Sequence, residues 1–173
     1  MTTIRNDVFK IGENFVTLIG DEVKVGDVAP DFTSVVAGWL KVNPLRESKG
    51  KVIILSAVPS LDTDVCDRET RRFNEEATGL GDHVVVLTVS ADLPMAQSRW
   101  CGAAGVDKVK MLSDYVDMAF GQAYGTWVEE LRLDQRAIFI VDSQDVVRYA
   151  EYVPAIPQHP NYDAALAALK QIA

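Results

Sequence analysis

Hydrophobic and polar positions follow different patterns along the chain, and each pattern predicts an element. Residues 8–19 alternate between apolar and polar types around a Gly-Glu-Asn turn, which predicts a β-hairpin. Residues 51–58 and 83–90 are nearly continuous apolar runs rich in β-branched residues, as expected of strands covered on both faces. Residues 136–141 and 146–150 flank a polar turn and predict a second hairpin. The chain is therefore expected to contain a sheet with a buried centre.

Helical spacing separates the two buried runs and closes the chain. Apolar and small residues recur at steps of three and four from Cys66 onward, and Thr63 stands at an N-cap position, so a helix is predicted to begin there. Pro94 opens a second predicted helix that reaches Cys101, and residues 162–172 predict a terminal amphipathic helix. Alternating strands and helices followed by a hairpin indicate an α/β fold, with flanking helices on both faces of a central mixed β-sheet.

Length and charge narrow the possible classes. The chain has 173 residues with no internal repeat or linker, so one domain spanning residues 1–173 is expected, with residues 1–20 as an N-terminal hairpin extension. The net charge of −8 argues against binding to a nucleic-acid backbone, because such proteins usually carry a basic surface. No apolar run approaches the ~20 residues that span a bilayer, and the first residues lack the apolar segment of a secretory signal. A cytoplasmic protein with no nucleic-acid or membrane partner is therefore predicted.

Cys66 is the leading candidate for chemistry, because it lies where the first buried run passes into a helix. Sites in open α/β sheets lie beyond the carboxyl ends of the parallel strands, and Pro59 marks that end here. The unpaired N–H groups of a first helical turn, together with the helix dipole, favour a thiolate. The same position is expected to leave the thiol exposed. The alternative is a small buried cysteine without reactivity, which is common in intracellular proteins.

The charge around Cys66 opposes a thiolate. Four carboxylates lie close to it in sequence: Asp62, Asp64, Asp67 and Glu69. A cation must therefore come from another part of the fold. Arg136 is the candidate, since its strand, if antiparallel to residues 51–58, begins beside the loop that follows them. Three arginines nearer in sequence are expected on a solvated helix face, and one of them could also assist the thiolate: Arg68, Arg71 and Arg72.

Three of these residues carry a resemblance to a known family. Pro59, Thr63 and Cys66 match the Pro-x-x-x-Thr-x-x-Cys signature of peroxiredoxins. The similarity continues through later segments: residues 70–74, 90–101 and 124–125, and the strand that begins at residue 136. The chain as a whole resembles the thiol peroxidase subfamily of atypical 2-Cys peroxiredoxins, which have a thioredoxin-like fold.

The resemblance implies a reaction with hydroperoxides. Cys66 would be the peroxidatic thiolate that attacks hydrogen peroxide or an alkyl hydroperoxide and becomes a sulfenic acid, releasing water or an alcohol. Thr63 and Arg136 would orient the peroxide and stabilise charge on the leaving oxygen, and Pro59 would shield the thiolate. Cys101 would then form an intramolecular disulfide with Cys66, which thioredoxin would reduce. The chain has no Cys-x-x-Cys pattern and no phosphate-binding or dinucleotide fingerprint, so no metal or cofactor is expected.

The resemblance also implies a conformational step and a protein partner. The two cysteines lie on different predicted helices, and a disulfide needs Cα atoms within roughly 7 Å, so helix ends are expected to unwind if the reduced thiols are farther apart. A homodimer is expected, as in related peroxiredoxins. One apolar set could form a partner surface or could be ordinary core: Met118, Phe120, Tyr124 and Trp127.

Two departures from the family pattern and two rival interpretations stay open. Asp64 stands where relatives often have a small residue or proline, and Gln135 stands where alanine is common.

The first rival function is that of a thioredoxin-like disulfide carrier, which would need a second thiol in the turn that begins at Cys66, and the sequence has none there. The other rival is a non-enzymatic interaction module with two unreactive cysteines, which the rate of alkylation at neutral pH would distinguish.

Overall fold

The computed structural model describes residues 2–172, which form two β-sheets and five helices. The strands are, in chain order, β1 (Ile4–Ile11), β2 (Asn14–Ile19), β3 (Ser34–Val36), β4 (Leu40–Val42), β5 (Val52–Ala57), β6 (Val84–Ser90), β7 (Val109–Ser113), β8 (Trp127–Val128), β9 (Leu133–Asp134), β10 (Ala137–Val141) and β11 (Val147–Tyr152). The helices are α1 (Pro44–Glu47), α2 (Asp64–Ala77), α3 (Pro94–Ala104), α4 (Ala119–Tyr124) and α5 (Tyr162–Lys170). No helix within the described residues has the length and apolarity to cross a membrane.

The larger sheet has seven strands in the order β11-β10-β5-β6-β7-β3-β4. β5, β6 and β7 are parallel to one another, whereas β10 runs antiparallel to β5, with Ala137 opposite Ala57. β5 and β10 are buried along their whole length, which explains their continuous apolar runs. The predicted mixed sheet is confirmed, and the strand that follows Arg136 does pair antiparallel with the first buried run.

Successive side chains of the central strands point to opposite faces and so build two apolar layers. On one face, Ile54 and Ile138 pack with Phe73 of α2, and the same cluster includes side chains from α3 and α5. On the other face, Leu55 and Phe139 share a cluster with side chains of α1 and α4. The helices therefore cover both faces of the sheet, and α2 and α3 lie on the same face.

The N-terminal hairpin belongs to the smaller sheet, whose order is β1-β2-β8-β9. β2 pairs with β8 through Leu18 opposite Val128 and Ile19 opposite Trp127. The hairpin itself agrees with the sequence pattern, but that pattern indicated no strand between residues 124 and 136. Two-residue strands are too short to show periodicity. Only the folded chain reveals that the hairpin is paired with a later segment.

The sequence around Trp39, Leu40 and Pro44 predicts a loop before β5, but the structure contains short elements there. β4 pairs with β3, and α1 begins at Pro44, with the Asn43 side chain accepting from the N–H of Arg46 at 3.0 Å. Asn at the cap and Pro at the first position suit a helix start. These elements are small: β4 adds an edge strand beside β3, and the buried centre of the sheet remains as predicted.

Candidate active site

The loop between β5 and α2 brings Cys66 to the edge of the sheet. Pro59 is buried in this loop, and α2 begins two residues before Cys66, so the cysteine lies in the first helical turn as predicted. Its exposure is 0%, which makes the expectation of an exposed thiol wrong. The side chain packs with Val58 and Leu61, because the loop folds over the helix start. Access to the sulfur is therefore narrower than the sequence position indicated.

Thr63 contacts the sulfur from the N-cap position. Its Oγ1 lies 2.7 Å from Sγ of Cys66 and 2.9 Å from the carbonyl oxygen of Ser60. The hydroxyl makes no capping hydrogen bond to the helix backbone, although the position of the cap is as predicted. A hydroxyl has one proton, so it can donate to the carbonyl while the thiol is protonated and to the sulfur once the thiol is ionised. Thr63 therefore suits both protonation states of Cys66.

Arg136 supplies the cation that the sequence analysis looked for in another strand. It immediately precedes β10, and the pairing of β10 with β5 places it beside the loop that follows β5. Its Nη2 donates to Sγ of Cys66 at 3.3 Å and to the carbonyl oxygen of Ile156 at 3.2 Å. The side chain is only 1% exposed, so little water screens its charge. The structure thus brings Cys66, Thr63 and Arg136 together.

Glu69 is the carboxylate partner of Arg136. Its Oε2 accepts from Nη1 at 2.5 Å, and its Oε1 accepts from the hydroxyl of Ser56 at 2.7 Å. Burial raises the pKa of Glu69 to about 7, because loss of hydration outweighs the attraction of Arg136. From its position in the sequence, Glu69 is only a charge that opposes the thiolate. Its spacing of three residues from Cys66, on the same helix face, was the available signal that it belongs to the site.

The other nearby carboxylates are hydrogen-bonded to other side chains or exposed to solvent. Asp67 accepts from Nε of Arg71 at 2.9 Å and from Nε1 of Trp100 at 3.1 Å. Asp62 and Asp64 are exposed, where water screens them. The opposition to a thiolate expected from four adjacent acids is therefore weaker than their sequence positions imply.

Asp92, at the end of β6, anchors the loop that covers Cys66. Its Oδ1 accepts from the hydroxyl of Ser60 at 2.7 Å, and its Oδ2 accepts from the N–H of Leu61 at 2.8 Å and the hydroxyl of Ser90 at 2.8 Å. Asp92 is not among the site residues predicted from the sequence. The available signal was its position as a polar residue just after a parallel strand that neighbours the site.

Cys101 lies on α3, whereas Cys66 lies on α2. Both cysteines are free thiols. Cys101 is half-buried against the apolar cluster that α2, α3 and α5 form on the sheet, and burial raises the pKa of the Cys101 thiol.

Gln135, one of the two departures from the family pattern, is buried beside Arg136 and donates through Nε2 to the carbonyl of Val153 at 3.0 Å. Within residues 2–172, no group of three or more His, Cys, Asp or Glu side chains could hold a metal ion.

The sequence is similar to known proteins of one family. The Redoxin family model matches residues 24–166. A thiol peroxidase from Bacillus subtilis is 57% identical over 157 residues, which cover 91% of this chain and 93% of that protein. A thiol peroxidase from Streptococcus pneumoniae is 49% identical over 159 residues, which cover 92% of this chain and 96% of that protein.

Solved structures show the same architecture. A peroxiredoxin-like protein from Aquifex aeolicus matches with a TM-score of 0.86 and 35% identity over 99% of both chains. A thiol peroxidase from Chromobacterium violaceum matches with a TM-score of 0.82 over 94% of this chain and 95% of that one, and at 21% identity it shows a shared fold alone. The thioredoxin-like fold implied by the resemblance is confirmed. The chain therefore belongs to the Redoxin family and, within it, to the peroxiredoxins of the thiol peroxidase type.

Proposed function

We propose that this chain reduces hydrogen peroxide and organic hydroperoxides, with Cys66 as the peroxidatic thiol. The observation that carries the proposal is the placement of Sγ between Thr63 Oγ1 at 2.7 Å and Arg136 Nη2 at 3.3 Å, in the first turn of α2. The thiolate attacks one peroxide oxygen, so that an S–O bond forms and the O–O bond breaks. Cys66 becomes a sulfenic acid, and the leaving oxygen takes a proton to become water or an alcohol.

The donors around the sulfur assist this step through charge. Negative charge moves from the sulfur onto the leaving oxygen, and the buried Arg136 guanidinium and the Thr63 hydroxyl both lie at hydrogen-bond distance from the sulfur, where fixed donors stabilise that charge. Pro59 is buried in the loop over the thiol and limits access of water. A neutral packing role for Cys66 would not call for a buried arginine at hydrogen-bond distance, which favours the peroxidase over a module with unreactive cysteines.

Cys101 is the proposed resolving thiol. It attacks the sulfenic sulfur, so that an S–S bond forms and water leaves, which returns the chain to a state that a dithiol can reduce. Thioredoxin is the proposed reductant. Both cysteines are free thiols in the reduced chain, and a cycle of this kind suits the reducing cytoplasm.

A homodimer is the proposed assembly, by likeness to thiol peroxidases. Met118, Phe120 and Tyr124 are completely buried in the chain itself, so they are core and cannot form the partner surface. Exposed apolar side chains such as Trp39, Leu40 and Val116 remain available for it.

An assay that couples hydroperoxide reduction to thioredoxin, its reductase and NADPH tests the cycle. The wild-type chain should consume NADPH with hydrogen peroxide and with an organic hydroperoxide. Cys66→Ser should abolish consumption, because no other residue supplies the nucleophile. Cys101→Ser should give one turnover and stop as the sulfenic acid, seen as one added oxygen by mass spectrometry. Activity in Cys66→Ser would refute the peroxidatic role, and full turnover by Cys101→Ser would refute the resolving role.

A further inference from the structure

Three side chains join α2 to α3 next to the two cysteines. Nε1 of Trp100 donates to Oδ1 of Asp67 at 3.1 Å, and Nε of Arg71 donates to Oδ2 of the same carboxylate at 2.9 Å. Nη1 of Arg71 donates to the carbonyl of Ala104 at 2.9 Å, and its guanidinium carbon lies 5.5 Å from the centre of the Trp100 ring. We call Asp67, Arg71 and Trp100 the α2–α3 latch. Asp67 follows Cys66 directly, and Trp100 directly precedes Cys101.

A further contact fixes the segment after α3 to the same helix. The side-chain oxygen of Asn74, on α2, accepts from the N–H groups of Asp107 at 3.2 Å and of Lys108 at 2.8 Å. The C-terminal half of α3 and the chain that follows it are therefore tied to α2 from both sides of Cys101.

The reduced arrangement holds the two thiols in different surroundings. Sγ of Cys66 is completely buried and accepts from Arg136 at 3.3 Å, whereas Cys101 is half-buried and lines a cleft with Met111 of β7. Trp100 packs against the apolar clusters of both cysteines. Formation of a disulfide takes the Cys66 sulfur out of its buried contacts, so the first turn of α2 or the end of α3 is expected to move.

Such a movement breaks the latch, because each end of the Asp67–Trp100 hydrogen bond is covalently adjacent to a cysteine. The sulfenic acid of Cys66 meanwhile has two fates. Cys101 can attack it, with formation of the S–S bond and loss of water. Alternatively, a second hydroperoxide can transfer an oxygen to it, which gives a sulfinic acid and reduces the hydroperoxide to water or an alcohol. The time needed to open the latch sets how long the sulfenic acid is exposed to the second fate.

We propose that the α2–α3 latch controls the partition of oxidised Cys66 between disulfide and sulfinic acid. The latch acts on the resolving step and not on the first reaction with peroxide, since the hydrogen bonds to Sγ of Cys66 come from Thr63 and Arg136 and not from the latch. This role rests on the peroxidase cycle proposed above.

Arg71→Met tests the latch, and Arg72→Met is its matched control. Arg72 is the next residue on α2, donates through Nε to Glu76 at 2.8 Å and lies 5.5 Å from the ring of Tyr162 on α5. Both arginines have 44% exposed side chains, so the two variants remove the same kinds of contact. Of these two arginines, only Arg71 contacts α3.

The measurement mixes reduced protein with hydrogen peroxide, stops the reaction at intervals with an alkylating reagent and counts thiol, disulfide and sulfinate by mass spectrometry. Arg71→Met should form the Cys66–Cys101 disulfide roughly two to five times faster than wild type, the range that exposed ion pairs and hydrogen bonds supply. Its sulfinate yield at high peroxide should fall correspondingly. Arg72→Met should match wild type, and all three should lose the Cys66 thiol at the same rate. Trp100→Phe, which removes the indole N–H and shortens the ring but keeps an aromatic side chain at that place, should behave as Arg71→Met does.

Equal disulfide rates in wild type, Arg71→Met and Trp100→Phe would overturn the latch while leaving the cycle intact. Slower disulfide formation in Arg71→Met would also overturn it, because the contacts would then position Cys101 for attack. If wild-type protein loses no thiol to peroxide or never forms this disulfide, the proposed cycle is refuted and the latch with it.

Discussion

At the scale of single residues, one arginine is shared between a carboxylate and a sulfur. The Arg136 guanidinium donates to Glu69, Cys66 and the carbonyl of Ile156 in a site that excludes water. Removing one member of such a buried group leaves the other charges without compensation. The reactivity of Cys66 is therefore expected to depend on a residue that lies far away in the sequence.

Arg136→Ala should lower the second-order rate of Cys66 with hydrogen peroxide by about a hundredfold or more, the effect of removing one fixed donor from a developing charge. Rapid mixing of the reduced protein with peroxide measures this rate. Arg136→Lys is the control, since it keeps the charge but loses the fork that contacts both Glu69 and Cys66. Its rate should lie between those of wild type and Arg136→Ala. A folded Arg136→Ala protein that reacts at the wild-type rate would show that another cation serves the sulfur.

At the scale of elements, the start of α2 and the end of α3, near the two cysteines, are the parts expected to rearrange in the proposed cycle. Cys66 lies in the first turn of α2, and Cys101 lies in the last turns of α3, which ends at a left-handed Gly105. Helix termini lack part of the backbone hydrogen bonding of the interior, so they open at a lower free energy than the middle of a helix. Local unwinding at these two places is expected to bring the sulfurs together.

Hydrogen exchange compared between the reduced and the disulfide form checks this rearrangement. Amides in residues 63–69 and 97–105 should lose protection on oxidation, because their helical hydrogen bonds are broken. Helix α5 packs on the same sheet face and holds neither cysteine, so its amides should keep their protection and serve as an internal reference. Identical protection of the two cysteine segments in both forms would remove local unwinding as the route to the disulfide.

At the scale of the whole molecule, buried acids make stability depend on pH. Burial raises the pKa of Asp114 to about 6 and that of Glu69 to about 7. Burial and the charge of Asp114 raise the pKa of Asp134 well above its ordinary value, while its Oδ1 accepts from the Thr126 hydroxyl at 2.8 Å. The folded chain therefore binds more protons than the unfolded chain between about pH 4.5 and pH 7.

The free energy of unfolding should consequently fall as the pH rises through that window, because these groups favour the folded state only while they are protonated. Asp134→Asn removes one titrating group and keeps an acceptor for Thr126. Its stability should depend less steeply on pH, by up to about 1.4 kcal/mol per pH unit between about pH 5 and pH 7. Urea unfolding at several pH values measures both slopes. Parallel curves for wild type and Asp134→Asn would contradict a protonated Asp134 in the folded chain.

The sequence alone determined the longer elements and the centre of the site. Continuous apolar runs predicted β5, β6 and β10, since strands buried on both faces carry that pattern wherever they occur. Pro59, Thr63 and Cys66 lie within eight consecutive residues, so local backbone geometry places them together at one loop and helix start. Arg136 could be chosen on the condition that its strand pairs antiparallel with residues 51–58, and the folded chain has that pairing.

Only the tertiary structure decided which residues around that centre are buried and how the charged groups are paired. It buried Cys66 completely, turned Glu69 from an opposing charge into the partner of Arg136, and directed Asp67 to α3. It also paired the N-terminal hairpin with the two-residue strand β8. The physical reason is one of range. Secondary structure reflects side-chain periodicity over neighbouring residues, whereas burial and the choice of a hydrogen-bond partner depend on segments that are distant in sequence and meet only in the packed chain.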